Sequence, residues 1–196
     1  MKILAFVDMH ESKKAFEKIK KLSKKADLIV CAGDLTIFEN KYDILLDKLN
    51  KLKKPVLIIH GNHEDENDLE VLSSLFENIT CIHEKSHAIE DYLFLGYGGG
   101  GFATIDTRFD KIAKKFEKSI KKYKKVILVT HAPPYKTKID DIAGEPCGNK
   151  NIKKFILKNK PDLVISGHLH ENAGKEDRIG KTLIVNPGPY GKILEI

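Results

Sequence analysis

Ile3-Leu4-Ala5-Phe6-Val7 runs directly into Asp8-Met9-His10, and this junction decides how the chain is read. The apolar run has the length of a buried strand, and it ends in a carboxylate and an imidazole one residue apart. The same grammar recurs along the chain. LIVCA (28–32) ends in Gly33-Asp34, VLIIH (56–60) in Gly61-Asn62-His63, and VILVT (126–130) in His131. LVIS (163–166) ends in Gly167-His168-Leu169-His170, and TLIVN (182–186) in Asn186-Pro187-Gly188. Near-continuous apolar runs are the signature of strands covered on both faces. Open α/β sheets form their ligand crevice at strand ends, so residues far apart in sequence are expected to converge there.

Working outward, strands are expected at 2–7, 27–32 and 55–60, alternating with helices at 12–24, 41–52 and 66–76, a βαβαβα order that asks for a largely parallel sheet. Short strands at 79–83, 86–90 and 93–97 follow, then helix 107–123, strand 125–130, helix 150–159 and strand 162–166, with 172–196 as a strand meander. So many strands need two sheets packed face to face with helices outside. The only long connection is 132–149, a length usually kept for function, and with Pro133-Pro134-Tyr135 it is the candidate pocket wall.

The chain has 196 residues and 41% hydrophobic content, which fits one domain over residues 1–196. The N-terminus reads as a core strand and not as a signal peptide, and no apolar run approaches the roughly 18 residues of a membrane span. A cytoplasmic location is expected. Cys31, Cys81 and Cys147 have no paired spacing and read as reduced thiols without an assigned role.

A net charge of +6 raises the question of nucleic acid. The lysines, however, lie in helix-like segments that also carry acidic residues, as a solvated helix face does. Only Arg108 and Arg178 could offer bidentate phosphate contacts. Abundant Lys and Glu with no Gln suits a heat-adapted protein.

Asp8 and His10 can aim at one cation, and Asp34 at the next strand end can bridge two divalent ions about 3.5 to 4 Å apart. Asn62 offers an amide oxygen, and His131, His168 and His170 offer imidazoles. This N/O donor set suits Mn, Fe, Co, Ni or Zn rather than Mg or Ca. Any one of these residues has a bland reading, since Asp or Asn beside Gly makes turns. Their conjunction changes the odds, because five of the eight histidines stand at strand ends beside acidic or amide partners. His60, His83 and His87 are expected to be structural, with His60 the nearest to an exception because it precedes Gly61.

Asp8-x-His10, Gly33-Asp34, Gly61-Asn62-His63, His131 and Gly167-His168-x-His170, in this order, resemble the calcineurin-like metallophosphoesterases over residues 2–188, and small microbial phosphodiesterases in particular. The resemblance implies a four-layer α/β/β/α sandwich of two mixed sheets, with a dinuclear site in the crevice. It implies Asp8, His10 and His170 on one ion, Asn62, His131 and His168 on the other, and Asp34 between them. It further implies that His63 is no ligand but contacts phosphate or protonates the leaving oxygen. The expected reaction is phosphoester hydrolysis by a hydroxide held between two divalent ions, with phosphodiesters preferred over monoesters.

One departure narrows the activity. Gly33-Asp34-Leu35-Thr36-Ile37-Phe38 lacks the Asp-Arg-Gly that follows the Gly-Asp motif in the protein-phosphatase branch, so protein phosphatase activity is not expected. The expected substrate is a small phosphodiester or nucleotide-like molecule, with no membrane partner and with self-association left open. A nuclease using the lysines is the alternative, and a non-catalytic metal-binding scaffold a second one. The Gly96-to-Phe102 run resembles a phosphate cradle in composition but lacks the Lys-Ser/Thr and helix start of a P-loop, so a tight turn is expected. Tyr97 and Tyr190 could stack a base or pack in the core.

Overall fold

The computed structural model describes residues 1–196. In chain order the elements are β1 (Lys2–Phe6), α1 (Lys13–Ser23), β2 (Leu28–Cys31), α2 (Tyr42–Asn50), β3 (Val56–Ile58), α3 (Glu66–Ser73), β4 (Ile79–Cys81), β5 (Ser86–Ile89) and β6 (Tyr92–Tyr97). They continue with α4 (Thr107–Ile120), β7 (Lys125–Thr130), β8 (Asp141–Ile142), β9 (Glu145–Pro146), α5 (Lys150–Asn159), β10 (Leu163–Ile165), β11 (Glu176–Ile179), β12 (Thr182–Val185) and β13 (Lys192–Glu195). A short 3-10 turn spans His170–Asn172.

Two large mixed sheets result. The first has the order β13-β1-β2-β3-β4, parallel from β1 to β4 with β13 antiparallel on β1. The second has the order β11-β12-β10-β7-β6-β5, with antiparallel strands only at its two edges. Strand alternation assigns the layers. Ile3, Ala5 and Val7 face an inter-sheet core with Val30, Leu57, Phe94, Ile127, Ile165 and Val185. Their neighbours Leu4 and Phe6 face the other way, onto Ile19, Leu46 and Leu69 of α1, α2 and α3. Leu95, Leu128 and Val164 likewise meet Phe109, Phe116 and Ile156 of α4 and α5. The expected helix/sheet/sheet/helix sandwich is the observed fold.

Helix starts follow their caps. Ser12, Asp65, Asp106 and Asn149 each accept backbone N–H bonds from the first turn of α1, α3, α4 and α5. α2 starts instead from Lys41 in a left-handed conformation, with no side-chain cap. No helix is long and apolar enough to cross a membrane.

Three details differ from the sequence reading. The third helix stops at Ser73, and Phe76 N–H closes a turn onto the Ser73 carbonyl. The 132–149 connection holds a small β8–β9 hairpin, pinned by Asp140, whose carboxylate accepts N–H bonds from Lys136, Thr137 and Gly148. The tail is no single meander: β11 and β12 complete the second sheet, whereas β13 returns to the first, so that Leu194 joins the inter-sheet core.

Candidate metal centre

The strands β1, β2, β3, β7 and β10 run the chain toward one end of the sandwich, and there it turns sharply. Asp8, His10, Asp34 and His168 all have positive φ, at 54°, 45°, 51° and 71°. Non-glycine residues seldom adopt this region, and such outliers cluster where surrounding structure holds a functional geometry. Glycine makes the approach possible. A Cβ on Gly33, itself at φ 98°, would stand 2.6 Å from Gly61 N, and one on Gly61 would stand 1.9 Å from Asp34 Oδ1.

Two groups of donor atoms meet at Asp34. In the first, ligand atoms of Asp8, His10, Asp34 and His170 all lie within 4.8 Å of one another. His10 Nδ1 lies 3.0 Å from the Thr36 carbonyl, so it carries the proton and leaves the Nε2 lone pair facing inward. That Nε2 is 3.1 Å from His170 Nε2 and 3.7 Å from Asp34 Oδ2. In the second group, His131 Nδ1 lies 2.9 Å from the Ala32 carbonyl, which likewise turns the Nε2 lone pair inward. It stands 3.0 Å from Asn62 Oδ1 and 3.4 Å from Asp34 Oδ2. His168 Nδ1 adds a contact of 2.8 Å to the same Asn62 oxygen. Nitrogen and oxygen donor atoms crowded within hydrogen-bond distance, with Asp8 Oδ2 and His168 Nε2 buried and unpartnered, describe a place built for cations. The donor set therefore fits two divalent ions.

The electrostatics agree. Burial alone would push Asp34 up, but the hydrogen bond and charge of His131, with the His63 backbone N–H, hold its carboxyl below the usual range. Burial alone would push His131 down, but Asp34 and then Asp8 raise it to about 9. Burial raises Asp8, opposed by His131 and reinforced by Asp34. His168 falls to about 4, through burial and then the charge of His131. The cluster favours positive charge at its centre.

His63 lies beside this pair of groups. Its N–H donates to Asp34 Oδ1 at 3.1 Å, and its Nε2 is 4.0 Å from Asp34 Oδ2. Its ring is held by aromatic contact, edge-on to His10 with centroids 4.7 Å apart and tilted against Phe38 at 4.5 Å. All eight residues singled out from the sequence are thus brought together.

The sequence reading missed the residue that ties the turns in place. Glu64 is buried, and its carboxylate accepts from Asp34 N–H (3.0 Å), Gly61 N–H (2.8 Å), Thr36 N–H (2.8 Å) and Thr36 Oγ1 (2.9 Å). Its position directly after Gly61-Asn62-His63 was the available signal. It also missed Phe38 and Phe102, exposed rings lying against His63 and His168.

The remaining expectations resolve as follows. His60 Nδ1 is 2.9 Å from the Gly61 carbonyl, and its buried Nε2 has no hydrogen-bond partner and stands 3.9 Å from Glu66 Oε2. His83 accepts from Gly98 N–H at Nδ1 (2.9 Å), so its Nε2 carries the proton toward Glu66, 3.1 Å away, and is a donor rather than a ligand. His87 lies on the edge strand β5. Tyr97 is a core residue, edge-on to Phe109 with its hydroxyl donating to Asp106 at 2.6 Å, while Tyr190 is exposed. Gly96 and Tyr97, expected in a turn, close β6 instead, and the chain turns only at Gly101-Phe102. The 132–149 connection packs on the turn that carries His170, with Asn172 Nδ2 donating to the Asp141 carbonyl at 2.9 Å. Cys147 is half-buried there, and Cys31 and Cys81 are buried thiols.

Comparison with known proteins gives consistent results. The family model described as calcineurin-like phosphoesterase matches residues 1–172. The uncharacterized protein MJ1162 of Methanocaldococcus jannaschii is 31% identical over 200 residues, covering 96% of this chain and 88% of that protein. A protein of Coxiella burnetii named as a probable cyclic nucleotide phosphodiesterase is 28% identical over 159 residues, covering 77% of this chain and 63% of its own length. The crystal structure of TT1561 from Thermus thermophilus superposes with a TM-score of 0.77 at 20% identity, covering 95% of this chain and 88% of that one, which shows a shared fold.

Proposed function

The chain belongs to the calcineurin-like phosphoesterase family, and from that premise we propose that it is a dinuclear phosphodiesterase whose residues 1–196 act as one domain. Family membership makes it a metal-dependent hydrolase of phosphate esters. The preference for diesters and the roles of individual residues are the proposal. The observation that carries it is the pair of acceptor groups sharing Asp34.

In this reading Asp8, His10 and His170 hold one divalent ion, Asn62, His131 and His168 hold the other, and Asp34 lies between. Such ions, when bound, lower the pKa of water to about 7 and polarise phosphoryl oxygens. The chain's own residues do the rest. The carbonyls of Thr36 and Ala32 fix the tautomers of His10 and His131, and Glu64 holds the turns that present Asp34. His63 Nε2 protonates the leaving oxygen, and Asn62 and His63 position the phosphoryl group. Seven ligand side chains for two ions leave room for an anionic substrate. A diester presents no dianion that needs an arginine clamp, which agrees with a site that carries no arginine among its donors. The name of the Coxiella burnetii relative supports the same substrate class.

The test is metal-stripped protein resupplied with Mn, Ni, Co or Zn and assayed on bis-p-nitrophenyl phosphate and p-nitrophenyl phosphate. The expected result is two ions bound per chain and metal-dependent diester cleavage exceeding monoester cleavage. Monoester cleavage in excess would overturn the diesterase assignment, and a chain that binds no metal would overturn the site.

A further inference from the structure

Two phenylalanines are displayed, not merely left, at the rim of the centre. Phe38 is 76% exposed and Phe102 is 66% exposed, yet each ring touches a histidine of the site: Phe38 lies on His63 with centroids 4.5 Å apart and planes tilted by 37°, and Phe102 meets His168 edge-on at 4.5 Å. Exposure alone is ordinary for single apolar side chains; what sets these two apart is that each touches a histidine of the site.

The backbone beneath Phe38 is held in an unfavourable conformation by many bonds. Phe38 and Glu39 have φ of 47° and 63°, a region that bulky residues seldom enter. Thr36, clamped by Glu64, accepts from Glu39 N–H, and Glu11 accepts from Ile37 N–H, Asn40 and Lys41. A loop tied this firmly could have turned its ring inward, and instead it presents one face over the proposed proton donor. The Phe102 turn is tied as well, with Asn149 donating to the Ala103 carbonyl and Lys150 N–H to the Thr104 carbonyl. Phe38 lies against His63, which in turn meets His10, and Phe102 lies against His168, which in turn meets His131.

We propose that Phe38 and Phe102 form a stacking platform that selects phosphoesters carrying a planar aromatic group, a nucleobase, next to the scissile phosphate. This rests on the phosphoesterase reading of the same centre. Both rings stand out into solvent over most of their surface, so they border the site as an open rim. Flat rings on an open rim suit a base lying on an aromatic face, whereas an acyl chain would need an enclosed groove. A group leaving from the side of His63 meets the free face of Phe38 first. The second ring serves the other ester arm.

The test is calorimetric titration of metal-loaded protein with two hydrolysis-resistant phosphonates, an AMP isostere and a ribose 5-phosphate isostere, each carrying one methyl ester so that it is a diester monoanion, and differing only in the base. Base–aromatic stacking predicts a preference for the AMP isostere between about 5-fold and 150-fold. Phe38→Leu and Phe102→Leu keep apolar bulk against the histidines while removing the flat face. With a single base on the probe, Phe38→Leu is expected to cut the preference severalfold and the double variant to bring it near one, with the metal content unchanged. Equal binding of both isosteres by the unaltered protein overturns the platform and leaves the phosphoester site standing, as does a preference that survives the double variant. Binding of neither isostere overturns both readings. A phosphorothioate deoxyadenylate decamer separates the sources of the base: affinity no greater than that of the AMP isostere assigns the platform to small nucleotides, and tighter, steeply salt-dependent binding assigns it to nucleic acid.

Discussion

At the scale of the residue, the proposed roles separate cleanly by what each substitution should leave behind. His63 touches Asp34 through its backbone N–H and offers no atom to either acceptor group, so His63→Ala should keep both metals, measured per chain by plasma emission spectroscopy. It should lose about 10²- to 10⁴-fold in rate on an alkyl leaving group, the usual range for a general acid, and much less on p-nitrophenolate, which needs no proton. Full retained rate on the alkyl ester would refute the role. Asp34→Asn should instead lower metal content at both positions, because both groups use Asp34 Oδ2. Asp8, His10, Asp34, Asn62, His131, His168 and His170 were legible in sequence because strand ends make convergence predictable. Glu64 and Phe38 were not. Glu64 earns its role only when β2 and β3 lie side by side and bring three N–H groups to one carboxylate. Nothing in the sequence marks Phe38, whose exposure comes from a left-handed backbone.

At the scale of the element, the first crossing between the two sheets passes through one histidine. The chain leaves β4 in the first sheet and enters β5 in the second, and His83 between them accepts from Gly98 N–H and donates to Glu66, which Arg108 also holds at 2.9 Å. Burial, helped by the charge of His60, pushes His83 down to about 4. The unfolded chain would bind that proton near pH 6.5, so between about 6.5 and 4 it carries more protons than the native state. Stability from this group is therefore present above pH 6.5 and falls as pH drops toward 4, by at most roughly 3 kcal/mol. Urea unfolding of the unaltered protein and of His83→Asn at pH 7.5 and 4.5 should show a smaller acid loss in the variant, and an equal loss would refute the assignment. Strand and helix order was legible here because the apolar runs and the lysine-rich segments between them are local signals. Which sheet each late strand joins was not, because β12 and β13 are both short apolar runs and only long-range pairing distinguishes them.

At the scale of the whole molecule, the centre ties together two layers whose shared core is apolar. Asp8, His10, Asp34 and Asn62 follow strands of the first sheet, whereas His131, His168 and His170 follow strands of the second. Ions held between them would cross-link the sheets at one end of the inter-sheet core, so loading should stabilise the fold and not only activate it. At a free metal concentration 100 times the dissociation constant the gain is about 2.7 kcal/mol per site. For a chain of this size each kcal/mol raises Tm by about 2 to 4 °C. Scanning calorimetry of stripped and Mn-loaded protein should therefore show a rise of about 5 to 10 °C for one such site, and more when both fill. Asp34→Asn should lose most of that rise, since removing the shared carboxylate loosens the cross-link from both sides. An equal Tm with and without metal, in protein shown to bind it, would mean that the unfolded chain holds the ions as tightly as the folded one, and would overturn the cross-link between the layers.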